Sequence, residues 1–456
     1  MIEQIFREYD IRGLFGKELD ERSVKAIGLA LGEHIAKFGL KSVSVGYDAR
    51  LSANELFTWL SSGLNLAGLN VYDIGMAPTP VGYFSVFTYK FDANIMITGS
   101  HNPKEYNGFK ITIGTDSFFG EDLKALGKKV ANLMDCNVEI PTNSACEKYD
   151  ILSNYIEFFK KEFAHLNGYN LPFVIDCANG AAGITVSKIC KELNLNAKIL
   201  YPNPDGNFPN HHPDPSEEKN LVDLKHQMSE NRLNLGFGFD GDADRIAVLT
   251  SKRNIKGDEL ACLLALNMTN PRILGEVKCS QVMYDEIDKI GKSFMGKTGH
   301  SNIKKAMKEL DIDLAAEVSG HIFFKERYFG FDDAVYAMMR VLELVKLGFD
   351  LDAELDKLPK LYSTDEIKIH TSEEMKFKII AALKSEIING IDGLPPIRDI
   401  IDIDGLRVRF DDGWALVRAS NTTPVLVTRF EARSNEFLKL LQDRFMKFVD
   451  NVRERI

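Results

Sequence analysis

Phe91-Asp92-Ala93-Asn94-Ile95-Met96-Ile97-Thr98-Gly99-Ser100-His101-Asn102-Pro103 is an apolar run that ends in a hydroxyl-bearing loop. The run has the length of a buried strand, and Asn107-Gly108 turns the chain back into a second short apolar stretch. A serine delivered by a strand end, with a histidine beside it and a proline stiffening the exit, is a candidate nucleophile. An isolated Ser-His pair is more often an ordinary polar loop, so the reading depends on what surrounds it.

Working outward, the first segment alternates helix and strand. Asp20 is placed to cap a helix whose apolar face is Val24, Ile27, Gly28, Leu31, Ile35 and Phe38, ending at Gly39. A strand at Val43–Val45 follows, then Ser52-Ala53-Asn54-Glu55, which has capping-box spacing and opens a second helix. A strand near Val71, a helix before Tyr89, the strand into Ser100 and a helix carrying Leu123, Leu126, Val130 and Leu133 complete the unit. This order predicts a mixed or parallel sheet covered by helices.

Asp135 to Glu147 reads as a linker, and a second unit starts with the strand at Phe173–Ile175. The turn Asn179 to Gly183 fits either a phosphate cradle or close helix-on-strand packing, the commoner of the two. Pro202 to Pro215 is a long proline-broken loop in which His211 and His212 could be ligands, although a surface role is simpler. A third unit has strands at Glu276–Cys279 and around Asp313–Phe324, with a long helix over Asp332–Val345. The last segment differs: strands follow in quick succession, and a helix capped by Ser434 presents Phe437, Leu440, Leu441, Phe445, Phe448 and Val452 on one face. The expectation is three similar mixed-sheet α/β domains, 1–145, 146–252 and 253–362, and a smaller C-terminal α+β domain, 363–456.

A chain of 456 residues with 45% hydrophobic and 27% charged residues fits several globular domains. Its net charge of −10 does not favour a nucleic-acid or anionic-membrane surface. The six cysteines are scattered without a CxxC pair, which argues against a zinc site or disulfide framework. The N-terminal stretch has no signal-peptide pattern, and no run approaches the ~20 apolar residues that span a bilayer. A cytoplasmic protein is expected.

Three further loops carry chemistry. Asp240-Gly241-Asp242-Ala243-Asp244-Arg245 lies between apolar strands, and three carboxylates at alternate positions repel one another unless a divalent cation neutralises them. An EF-hand is excluded, since its sixth position would be Arg245 and its twelfth Ser251; all-oxygen ligands favour Mg²⁺. Glu317-Val318-Ser319-Gly320-His321 offers donors and acceptors for vicinal hydroxyls. Arg418-Ala419-Ser420-Asn421-Thr422-Thr423-Pro424 offers the donors a phosphate dianion needs. Together the four loops imply phosphoryl transfer.

Along its whole length the chain resembles the α-D-phosphohexomutases, and within them the phosphomannomutase/phosphoglucomutase group. TGSHNP, GFDGDADR, EVSGH and RASNTTP match the family's four active-site loops in order, and FREYDIRG, KEYNGFK, NHHPDP and KTGH match secondary motifs. The resemblance implies that Ser100 is carried as a phosphoserine and passes its phosphoryl group to a hexose phosphate through a hexose 1,6-bisphosphate. Asp240, Asp242 and Asp244, with an oxygen on Ser100, would hold Mg²⁺. It places Lys110 and Arg245 near the phosphoserine, makes His101 a positioning neighbour, and gives Arg12 a catalytic part from the cleft wall. Glu317, Ser319 and His321 would contact the sugar, and Arg418, Ser420, Asn421 and Thr422 the non-reacting phosphate, with Tyr9, Lys278 and His300 facing the cleft. Small hexose phosphates are the implied partners of a monomer or small homo-oligomer.

One departure is visible: Ala316 stands where many members carry glycine, which is tolerable unless that backbone needs φ > 0. Rival readings are a phosphoglucosamine mutase, a metal-dependent sugar phosphatase releasing phosphate to water, and a non-catalytic sugar-phosphate binder. EVSGH and Gly99 favour the neutral-sugar mutases, and a binder has no need of Ser100 beside three aspartates.

Overall fold

The computed structural model describes residues 2–421 and 423–456, and among them the strands form four sheets. The first three repeat one topology. In the first unit, Ser42–Tyr47 pairs in parallel with Asn70–Met76 and with Ala93–Ile97, and Tyr106–Ile113 then runs back antiparallel to Ala93–Ile97. In the second, Phe173–Asp176 lies between Ala197–Leu200 and Leu235–Phe239, with Ile246–Thr250 antiparallel. In the third, Arg272–Glu276 lies between Lys292–Gly296 and Leu314–Ala316, with Ile322–Phe324 antiparallel. Each unit therefore has one tight loop where its third strand reverses into its fourth. Those loops are 98–105, 240–245 and 317–321.

Helix chemistry accounts for the framing elements. Asp20 accepts from the Ser23 backbone N–H at 2.8 Å while the Ser23 hydroxyl accepts from Asp20, a capping box that starts Glu21–Ala36. Ser52 does not repeat it: its backbone is already helical and its hydroxyl accepts from Asn107 instead. Phe38, expected on the apolar face, lies beyond the helix end and is exposed. Helices Thr79–Thr88 and Ala334–Lys346 are buried along most of their length, because they sit where units meet and contribute to a core that runs through all three.

The segment read as a linker is docked on the first unit. Ile140 is buried in that core, and the Asn65 amide donates to the carbonyls of Asn143 and Ala145. Glu147–Lys148 then pairs with Asn70–Met76. Lys278 lies past the strand in which it was expected, because Arg272–Glu276 ends at the acid.

The C-terminal unit is an antiparallel sheet, with Val425–Ala432 between Gly413–Ala419 on one side and Tyr362–Ser363 and Ile367–His370 on the other. Two helices contribute to its core: the expected Asn435–Arg453, capped by Ser434, and Glu373–Glu386, which the strand pattern hid. Its joint to the third unit includes Arg407, whose side chain is fully buried. Arg407 donates to the carbonyls of Val277 and Cys279, both at 2.7 Å, and lies 3.9 Å from the Trp414 ring centre.

Removing that arginine strands two buried carbonyls, so Arg407→Ala should cost on the order of 3 kcal/mol. Chemical unfolding should show a lower midpoint, with Arg407→Lys recovering only part because an ammonium lacks the planar fork. An unchanged midpoint would show that the joint lies elsewhere.

Candidate active site

The three reversal loops meet at one point. The Gly241 backbone packs against the Ser100 carbonyl so closely that a Cβ there would lie 2.5 Å from the oxygen. Ile246 donates its N–H to the Gly320 carbonyl at 3.0 Å, and Gly320 takes φ +96°, where a side chain would also strike the Ile246 oxygen. Ser100 itself has φ +48° and is buried. This left-handed backbone lets a strand end present its hydroxyl sideways, and the Oγ lies 2.9 Å from Asp240 Oδ2 and 3.1 Å from His101 Nδ1.

Asp240, Asp242 and Asp244 have no solvent exposure, and one oxygen from each lies within 4.8 Å of the others. Asp240 Oδ1 accepts the N–H groups of Asp244 and Arg245. Asp242 Oδ2 accepts from the Thr79 hydroxyl at 2.5 Å and from Lys110 Nζ at 2.7 Å, and Lys110 also reaches Asp244. Burial, then Asp244 and Asp242, pushes the Asp240 carboxyl well above its ordinary range. Burial acts the same way, and most strongly, on Asp242 and Asp244, but Lys110 together with Thr79 at Asp242, and with His321 and Arg245 at Asp244, brings both below. Asp242 Oδ1 and Asp244 Oδ1 are buried without a hydrogen-bond partner. Unpaired anionic oxygens beside a serine hydroxyl are the donor set a hard divalent cation takes, so these residues fit one.

Cations ring the serine. Arg12 donates to Asn102 Oδ1 at 2.9 Å and to the Gly99 carbonyl, and is held by Asp10. Arg245 Nε donates to His321 Nε2 at 2.8 Å, so the His321 proton sits on Nδ1, which lies 2.9 Å from Asp332 Oδ2. Desolvation, with Arg245 and Arg12 beside it, pushes the His101 imidazole well below its ordinary range and keeps it neutral. His300 is lowered by burial in the same way and stacks on His321 with ring centres 5.9 Å apart.

The remaining residues line the other wall. Glu317 Oε1 accepts the Gly299 N–H at 2.6 Å, which ties the 317–321 loop to KTGH, and Ser319 in that loop is half-buried. Lys278 is held by Glu366 at 2.7 Å and by Glu276 at 3.6 Å; despite burial these carboxylates raise its pKa. Arg418 Nε donates to Asp404 at 3.0 Å while its Nη2 is buried without a partner, a donor left for an anion. Ser420 shares a hydrogen bond with Thr423, and the Lys376 ammonium donates to the Ser420 carbonyl. Tyr9 donates to the Thr298 carbonyl at 2.6 Å and accepts from Asn421, so it touches two other units at once. Thr422 lies outside the described residues. Ala316 sits in a strand, so its methyl group is unstrained.

Several site residues were not anticipated: Arg50 and Asp48 beneath the serine loop, Thr79 on Asp242, Asp332 on His321, and Asp404 on Arg418. A signal for the first pair was present. An acid ends the first parallel strand of each unit or follows it directly (Asp48, Asp176, Glu276), and each accepts the N–H two residues on. His211 is taken up by Asp176 at 3.0 Å. The turn at Asn179–Gly183 is close packing, with the Ala181 N–H donated to Gly241 and Gly183 against the Pro202 backbone.

Four consecutive segments match the phosphoglucomutase/phosphomannomutase family: its α/β/α domains I, II and III over residues 3–133, 153–253 and 256–362, and its C-terminal domain over 366–448. A phosphomannomutase/phosphoglucomutase of Pseudomonas aeruginosa is 40% identical, with 98% of this chain and 96% of that protein covered. A phosphoglucomutase of Neisseria gonorrhoeae is 38% identical, with 98% and 97% covered. Among solved structures, a phosphoglucomutase/phosphomannomutase family protein of Burkholderia thailandensis is similar with a TM-score of 0.88 and 37% identity, over 99% of this chain and 98% of that one. No helix among the described residues is long and apolar enough to cross a membrane. With its loops, its repeated sheets and its relatives in agreement from end to end, the chain belongs to the phosphoglucomutase/phosphomannomutase family of phosphohexose mutases.

Proposed function

We propose that the chain interconverts hexose 6-phosphate and hexose 1-phosphate of glucose or mannose by way of a phosphoserine at Ser100 and a hexose 1,6-bisphosphate. The observation that carries the reading is Ser100 Oγ, 2.9 Å from a buried aspartate whose loop also holds two unpartnered carboxylate oxygens. A hydroxyl in that position serves a phosphate that shares its charge with a cation. Asp240, Asp242 and Asp244 would hold Mg²⁺, which when bound neutralises charge on the transferring group.

In transfer, the bond from phosphorus to the Ser100 oxygen breaks and one to a sugar hydroxyl oxygen forms. The sugar hydroxyl loses one proton and the Ser100 oxygen gains one, so that the step is a net exchange of phosphoryl group for proton and the serine ends as the hydroxyl hydrogen-bonded to Asp240. Arg12, Arg245 and Lys110 offer positive charge to the equatorial oxygens, and neutral His101 orients the serine oxygen. Across the cleft, Arg418, Ser420, Asn421 and Thr422 would hold the phosphate that does not react. Glu317, Ser319 and His321 would contact the sugar, with Lys278, His300 and Tyr9 closing the wall. Turnover of the bisphosphate in the cleft then exchanges the two phosphates.

Three measurements test the reading. Ser100→Ala should lose more than about 10³-fold in turnover while still binding glucose 1-phosphate by calorimetry; near-normal turnover would refute the nucleophile. Chelation should abolish activity and Mg²⁺ restore it, and Thr79→Val should weaken cation affinity about tenfold through its lost bond to Asp242. A cation-independent enzyme would sink the aspartate assignment. Glucose and mannose 1-phosphates should outpace glucosamine 1-phosphate, and the reverse order would reassign the sugar.

A further inference from the structure

Arg50 has no counterpart among the residues so far given a chemical role. Its side chain is 0% exposed although it carries a charge, and all five of its N–H bonds are used. Nε donates to Asp48 Oδ2 at 3.2 Å. Nη2 donates to the carbonyls of Ser100 at 2.9 Å and Asn102 at 2.6 Å, and Nη1 to those of Pro103 at 2.6 Å and Tyr106 at 2.9 Å. Four carbonyls, three in the serine loop and one at the start of the strand that follows, thus face one planar fork. Asp48 completes the frame from the other side, since its Oδ2 also accepts the Thr98 hydroxyl at 2.8 Å and the Gly99 N–H at 3.1 Å.

Two close contacts show that the fork is built in. The guanidinium packs flat on Gly99, where a Cβ would lie 2.3 Å from Arg50 Cζ and Nε; this is a physical reason for glycine before the serine. From the second unit, the long loop 202–215 lies over the arginine. Phe208 has its ring centre 5.5 Å from Arg50 Cζ, and Gly206 abuts the backbone of Ala49 and Leu51. That loop contributes no group to the cleft in the reading above, and this contact gives it one task.

We infer that Arg50, closed in by Phe208, is the positioning residue of the nucleophile: by fixing the carbonyl of Ser100 and those that follow, it holds Ser100 in its left-handed backbone with Oγ aimed at Asp240. A left-handed non-glycine residue is strained and persists only where its surroundings over-determine it. Four hydrogen bonds to this stretch from a rigid donor, itself held by Asp48, do so, and a lysine has neither the number nor the plane to replace them. The inference rests on the phosphoserine reading.

The test uses the full-length enzyme, with hexose 1,6-bisphosphate as phosphoryl donor and peptide mapping of Ser100. Arg50→Lys should lower kcat about 100-fold, the scale of an ångström of misplacement, with KM and Mg²⁺ affinity within about threefold of wild type. Phosphate uptake on the Ser100 peptide should slow in parallel. Gly99→Ala, which pushes on the same contact from the loop side, should act in the same direction, and the double variant should be clearly less impaired than the product of the two. A kcat within threefold of wild type for both single variants would overturn the assignment. So would losses spread equally over kcat, KM and cation affinity, or fully multiplicative effects. Absence of phosphate on wild-type Ser100 would overturn the phosphoserine reading itself, whereas normal uptake by wild type and by Arg50→Lys would overturn the role of Arg50 alone.

Discussion

Asp240, Asp242 and Asp244 are taken wholly out of water on a loop of six residues, and much of the molecule can be read as the answer to that charge. An isolated buried carboxylate costs several kcal/mol unless it is paired or neutralised. The second unit supplies Arg245 from the same loop, but Lys110 and Thr79 come from the first unit, from a strand and a helix start respectively. The aspartates therefore cannot be satisfied by their own domain. Their pairing fixes the first unit against the second and brings the serine loop to the place where a cation and a phosphate can share the excess charge.

The repeat explains why three different loops arrive together. Each of the first three units reverses from its third, parallel strand into an antiparallel fourth, and each reversal carries one part of the site. Parallel strands put their C-terminal ends on one edge of the sheet, where ligands of open α/β sheets bind. The fourth unit has a different sheet and is joined through Arg407 and Arg429, both of which hold carbonyls of the 277–279 turn beside Lys278. The fourth unit and the end of the third unit's first strand are thus coupled through one short segment of backbone.

What the sequence made legible was local. Alternating helix and strand patterns, the Asp20 and Ser434 caps and the make-up of each of the four loops can be read from neighbours within a few residues. The helix Glu373–Glu386 escaped because it buries only Lys376, Ile379 and Leu383, too thin a stripe to stand out from surrounding strands. Asp332 and Asp404 escaped because their partners lie 11 and 14 residues away and nothing in their own surroundings marks them; Arg50 escaped because its loop partners begin 50 residues on, and the acid repeated at the strand ends marks its place but not what it holds. The left-handed turn at Ser100 was hidden as well, since glycine is the residue that announces φ > 0 and here a serine adopts it under constraint from elsewhere.

That constraint also decides what kind of nucleophile Ser100 is. In an acyl-transfer triad the carboxylate holds the histidine, and the histidine takes the serine proton. Here the carboxylate of Asp240 accepts from the serine hydroxyl itself, and His101 touches the same oxygen as a neutral ring whose pKa is depressed first by burial and then by Arg245 and Arg12. A base surrounded by cations is a poor proton acceptor, because charging it adds a like charge to the cluster. The same cations are what a phosphate dianion on that oxygen requires. The arrangement weakens serine as an attacking alkoxide and favours it as the ester of a strong, highly charged acid, so the loop that resembles a hydrolase nucleophile has the electrostatics of a phosphate carrier.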